Sequence, residues 1–227
     1  MSHLTDYAEL EKKIGYIFKN QELLQQALTH SSYSNEVKSA EDYERLEFLG
    51  DAVLELSVSE YLYANHPRMY EGNMTKLRAS LVCEPTLAIC AREIGLEQYI
   101  MLGKGEDQTG GRNRDSIISD VFESVIAAIY LDGSYEDARD FVDRQLLSDM
   151  EHRIMFCDSK SILQEQVQQR GQELSYELLE EMGPAHDRMY RVGAVIASER
   201  ISEGSGRSKK GAEQEAAYNA LIILKDK

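Results

Sequence analysis

The chain has 227 residues, 42% hydrophobic and 29% charged, and no apolar run approaches the ~20 residues of a membrane-spanning helix. Its formal charge of -15 argues against a uniformly basic polyanion binder, but the acid is uneven: residues 1–155 carry a net of -13 and residues 156–227 a net of -2. Three cysteines, Cys83, Cys90 and Cys157, form no C-x-x-C pair and suggest neither a disulfide framework nor a zinc knuckle.

The start, MSHLTDYAELEKKIGY, lacks the basic head and apolar block of an export signal, so a cytoplasmic address is expected. Helical apolar spacing then runs from about Glu9 to about Ile154, broken by SSYSNEVKSAED, NHPRMYEG and LGKGEDQTGGRNRD, which read as turns. No alternating strand pattern occurs there, and residues 1–154 are expected to form an all-helical domain. HRIMFCDSK is the join to a second domain, 158–227, of α-β-β-β-α order. It comprises a short amphipathic helix (Ser161–Gln169), three strand candidates and a closing helix (Ser208–Leu224) with Ser208 as its N-cap. In RMYRVGAVI, Tyr190, Val192, Ala194 and Ile196 alternate with Met189, Arg191, Gly193 and Val195, the period of a strand. The fold class is therefore α+β and multidomain.

The stretch ERLEFLGDAVLEL places Glu44, Glu47, Asp51 and Glu55 on one helical stripe, with Leu46, Leu49, Val53 and Leu56 opposite. A solvated face would look the same, but Phe48 and Leu54 flank the stripe with groups that prefer burial. A second stretch, SIISDVFESVIAAIYL, is apolar nearly all round and carries only two charges, Asp120 and Glu123, projecting on one side. A buried carboxylate without a partner protonates, finds a cation or binds metal. If the two helices face one another, Glu47, Asp51, Asp120 and Glu123 form an oxygen-only cage, suited to Mg²⁺ or Mn²⁺. Such a site activates water and stabilises charge on a phosphodiester oxygen. None of the five histidines follows a glutamate by three residues, which disfavours the Glu-x-x-His di-iron arrangement.

GKGEDQTGG lacks the order of a phosphate loop and reads as a connection. His30, in ALTHSSYSNE, is assigned packing or capping in preference to catalysis. Glu71, in YEGNM, is either a helix-start acid or an extra acid near the site. In the second domain Ser161, Gln164, Glu165 and Gln168 share one polar helical face fit for the 2′-hydroxyls of duplex RNA; a solvated face would look the same, but His186 in GPAHD is a further exposed feature of the same small fold. Lys209 and Lys210 start the closing helix, where either they stand exposed with no duty or they and the free N–H groups converge on one phosphate.

With these residues the chain resembles bacterial ribonuclease III over nearly its whole length. ERLEFLGDAVLEL is similar to that family's signature helix, and ALTHSSYSNE, YEGNMTKLRASLV and GGRNRDSIISDVFESVIAAIYLD to its other blocks, in order. DSKSILQEQVQQ, GPAHDRMY and GSGRSKKGAEQEAA resemble a double-stranded-RNA-binding domain. The resemblance implies a homodimeric, Mg²⁺-dependent endonuclease that hydrolyses duplex RNA to 5′-phosphate and 3′-hydroxyl ends, with precursors of ribosomal RNA as first substrates and some mRNA and tRNA precursors beside them. It implies no membrane and no small-molecule cofactor. By motif position it makes Glu47, Asp120 and Glu123 metal ligands and Asp51 and Glu123 catalytic, with Glu44 and Glu71 as accessory acids. It puts Ser161, Gln164, Glu165, His186, Lys209 and Lys210 on RNA. Ala52, Ala127 and Tyr190 depart from common family residues without removing a ligand. The rival reading is a duplex-RNA-binding regulator that does not cut.

Overall fold

The computed structural model describes residues 7–38, 40–183, 188–206 and 208–225. The chain divides after Met150 into two compact units, 1–150 and 151–227, each taken by itself below.

The first unit is helical: α1 (Ala8–Ile14), α2 (Gln21–Ala27), α3 (Ser31–Glu36), α4 (Glu44–Asn65), α5 (Glu71–Leu81), α6 (Glu84–Glu93), α7 (Lys104–Gln108), α8 (Asp115–Asp132) and α9 (Tyr135–Gln145). Its centre is α8, whose run from Ile117 to Ile129 is buried except at Asp120 and Glu123. Helices α2, α4, α6 and α9 pack around it, so the all-round apolar pattern reflects neighbours on every side. Local chemistry sets several ends. Asn20 accepts from Glu22 N to start α2, Ser134 accepts from Asp137 N to start α9, and Gly15 closes α1 with a left-handed φ of 75°. The Asp132 carboxylate ends α8 by accepting from Lys19 N, Asn20 N and Tyr16 Oη, each at 2.8 Å.

Two segments expected as turns contain short helices. Within SSYSNEVKSAED, α3 forms because His30 Nδ1 accepts from Ser32 N (3.1 Å), a capping role for the histidine. Within LGKGEDQTGGRNRD, α7 forms and ends before Gly110, which has a left-handed φ of 80°.

In the second unit, α10 (Met150–Cys157), which begins at the division, leads into α11 (Ser159–Gln169). The antiparallel strands β1 (Leu174–Met182), β2 (Met189–Ile196) and β3 (Glu199–Gly206) follow in spatial order β1-β2-β3, and α12 (Lys209–Lys225) closes the fold. Leu163 and Val167 of α11, Ala194 and Ile196 of β2, and Ala216, Ala217, Ala220 and Leu221 of α12 form its core. The small residues matter because α12 lies against β3: a Cβ on Gly204 would stand 2.2 Å from Ala216 N, and Ser202 Oγ donates to Ala216 O at 2.6 Å. On the sheet face away from this core Arg200 pairs with Glu177 and Glu203, while Arg191 pairs with Glu203 and Glu180. Gly193 makes room for this, since Arg200 Cδ lies 2.7 Å from where its Cβ would be. Among the described residues no helix is long and apolar enough to cross a membrane.

Candidate active site

The site is set by one close approach. A Cβ on Gly50 of α4 would stand 1.9 Å from the carbonyl oxygen of Glu123 on α8, so only glycine lets the two backbones touch. Glu47 and Asp51 flank Gly50 at -3 and +1, and Asp120 lies one helical turn before Glu123. The four carboxylates thus act on one another: Asp51, Asp120 and Glu47 all raise Glu123, and Asp120 and Asp51 raise Glu47.

Burial is the larger cause. It pushes Glu123, aided by Asp51, Asp120 and Glu47, up to about 8, and it raises Glu47 and Asp120 above the usual carboxylate range. No lysine or arginine figures among the principal influences on these three groups. The donors are oxygens only, and their mutual repulsion is what a hard divalent cation would relieve, so the residues fit Mg²⁺ or Mn²⁺. Among the described residues no three His, Cys, Asp or Glu side chains already stand at the spacing of a closed metal cage. The carboxylates converge electrostatically without having drawn together.

The stripe on α4 divides. Glu44 is exposed at the helix start and acts on Glu47, whereas Glu55 turns to Arg78 of α5 (3.8 Å). Phe48, expected to border the acids as a group seeking burial, is 82% exposed, and Leu56 is half exposed. Leu54 is fully buried as expected. Glu71 stands at the first position of α5, exposed, with its carboxylate accepting from Thr75 Oγ1 (3.0 Å).

Two further groups act on these acids. Tyr43 Oη donates to Asp120 Oδ2 at 3.4 Å, and burial with the surrounding acids pushes its phenol far up. Glu84, first in α6, adds negative charge that raises Asp120, while His30 opposes it. Tyr43 carried a usable signal, lying four residues before Glu47 on the same helical stripe; Glu84 carried none.

In the second unit Ser161, Gln164 and Glu165 are exposed on α11, as is Gln168. Lys209 and Lys210 are exposed at the start of α12, where Ser208 Oγ accepts from Gly211 N (3.0 Å) as a cap. Lys209 Nζ lies 5.8 Å from the centre of the Tyr190 ring. His186 lies outside the described residues.

Comparison with known proteins defines the class. Residues 20–150 match the family model described as Ribonuclease-III-like, and residues 159–224 match the one described as Double-stranded RNA binding motif. A helical nuclease unit followed by such a motif makes this an endonuclease of double-stranded RNA. A Ribonuclease 3 from Bacillus licheniformis is 47% identical over 96% of this chain and 90% of its own length. One from Listeria monocytogenes is 45% identical over 97% of this chain and 99% of its own. The nuclease domain of ribonuclease III from Campylobacter jejuni, solved with flexibility in a region involved in its dimer formation, superposes with a TM-score of 0.60. It is 40% identical and covers 63% of this chain and 98% of that one. The chain belongs to the ribonuclease III family.

Proposed function

We propose that residues 1–154 hydrolyse phosphodiester bonds of duplex RNA in a Mg²⁺-dependent reaction, Mn²⁺ substituting, while residues 158–227 grip the duplex. The observation that carries this reading is the raised, uncompensated Glu123 packed across Gly50 from a second pair of acids. Glu47, Asp120 and Glu123 would hold the ion, which when bound supplies Lewis-acid polarisation and a lowered pKa for water. Asp51, the most open of the four acids, and Glu123 are the catalytic residues: they orient water, take up the proton it loses on attacking phosphorus and return it to the departing 3′ oxygen, leaving 5′-phosphate and 3′-hydroxyl ends. Glu44 and Glu71 are accessory acids whose charge holds further cations near the strand.

Ser161, Gln164, Glu165 and His186 would meet the minor groove, and Lys209 and Lys210 a phosphate at the head of α12. Phe48, Leu56 and Tyr63, all exposed, lie within about 80° on one face of α4, an apolar surface suited to a second copy of the chain. The working unit is accordingly a homodimer with one acidic centre per protomer, acting in the cytoplasm on precursors of ribosomal RNA and on some mRNA and tRNA precursors. No small-molecule cofactor is required.

The test is cleavage of an end-labelled RNA duplex with Mg²⁺ and with excess EDTA. Cutting in Mg²⁺ alone, with 5′-phosphate ends, is expected. A duplex left whole in both tubes would establish the non-cleaving binder, and undiminished cutting in EDTA would reject the metal.

A further inference from the structure

Tyr43 is 3% exposed at the entrance to α4, and none of the chemistry above uses it. Its backbone is fastened on both sides. The Tyr43 N–H donates to Thr29 O (2.9 Å), and its carbonyl accepts from Glu47 N (2.8 Å) and Ser124 Oγ (3.4 Å). Its ring meets His30 edge-on, with centroids 5.7 Å apart and planes at 62°. His30 is fixed in turn: its backbone N–H donates to Met101 O (3.0 Å), and its Nδ1 accepts from Ser32 N (3.1 Å) and lies within hydrogen-bond distance of Ser32 Oγ (2.7 Å). Ser32 Oγ then accepts from Gly103 N (2.9 Å), which closes the chain against the loop after Met101.

The phenol hydroxyl therefore has little freedom, and it reaches one oxygen of Asp120, Oδ2, at 3.4 Å. A buried phenol needs a partner, and a carboxylate with one oxygen engaged presents the other in a restricted direction. Groups that fix a metal ligand from behind typically change metal affinity by about 10- to 100-fold. The bond is long, since O–H···O contacts run at about 2.5–3.0 Å; a carboxylate shift of about half an ångström would tighten it.

We propose that Tyr43 is a positioning residue: its hydroxyl, donated to Asp120 Oδ2, holds that carboxylate so that Oδ1 is offered to the divalent cation, with His30 buttressing the ring. This rests on the metal reading given above.

Tyr43→Phe keeps the ring and removes the donor. Bound Mn²⁺ is counted from the fall of the free-ion electron paramagnetic resonance signal, beside Asp120→Asn and the parent chain. Expected for Tyr43→Phe are Mn²⁺ affinity weakened by about tenfold and a matching rise in the metal concentration for half-maximal cleavage. The rate at saturating metal should stay within about threefold of the parent, because the hydroxyl orients a ligand and performs no chemistry. Duplex-RNA affinity in EDTA and the thermal midpoint should be unchanged. Parental Mn²⁺ affinity in Tyr43→Phe, with affinity lost in Asp120→Asn, overturns the role of Tyr43 alone. Parental affinity in Asp120→Asn overturns the metal reading and this inference with it.

Discussion

Glu123→Gln keeps the shape of the side chain and deletes its charge, which makes the cost of that charge measurable. Glu123 titrates near 8 in the folded chain against 4.5 in the unfolded one, so the folded state holds the proton more tightly. The group therefore imposes no penalty below pH 4.5, and stability is lost as pH rises from 4.5 toward 8. At pH 7 the loss amounts to about 3 kcal/mol at 1.36 kcal/mol per pH unit, and partial solvent access brings it to about 1–2 kcal/mol. In EDTA at pH 7, Glu123→Gln should then melt about 2–6 °C above the parent, with the gain nearly gone at pH 5. Magnesium should reverse the order, because ligand binding stabilises the parent by mass action and the variant much less. Thermal melts at both pH values, with and without Mg²⁺, read all four states. Equal midpoints for the two proteins at pH 7 in EDTA would refute the claim that Glu123 is a strained carboxylate, whatever happens to cleavage.

Gly50→Ala should cost more than about 3 kcal/mol and abolish Mg²⁺ uptake, since α4 and α8 must part to admit the methyl; an unshifted urea midpoint would contradict the close contact. Replacing Lys209 and Lys210 together by alanine should weaken duplex binding and flatten the slope of log affinity against log salt by about one to two units, and a parental slope would remove both lysines from the phosphate. Phe48→Asp should convert a dimer to a monomer in light scattering, and a dimer that persists would put the interface elsewhere. Ala197 and Ser198 turn between β2 and β3 with φ of 50° and 69°, so Ala197→Asn with Ser198→Gly should stabilise the second unit by about 1 kcal/mol; a lowered midpoint would show the turn unstrained.

Asp120 and Glu123 were legible because α8 is apolar on every side and they are the exceptions, and the acids of α4 because they share one stripe. Pairing across space was not legible. Glu55 sits on the same stripe but answers to Arg78, a residue of another helix. Phe48 looked like core because hydrophobicity alone does not separate an interior residue from an apolar one left on the surface. The short α3 was missed because its cap is a histidine rather than the usual serine, threonine, aspartate or asparagine. Gly50 drew no notice among apolar neighbours, since its importance lies in a carbonyl oxygen 73 residues away. The alternation in β2 was readable because Val192, Ala194 and Ile196 point into the core and are buried, while Arg191 on the other face is exposed.

The lattice of Arg191, Arg200, Glu177, Glu180 and Glu203 has a bearing on how the second unit meets a polyanion. Each guanidinium there is already embraced by two carboxylates, so a nucleic acid drifting toward that side finds negative charge ahead of it and no uncommitted cation in the lattice. If Lys209 and Lys210 take the phosphate as proposed, attraction is left to the helical side and adhesion becomes one-sided, so that collision geometry sorts productive encounters from sterile ones before any groove is read.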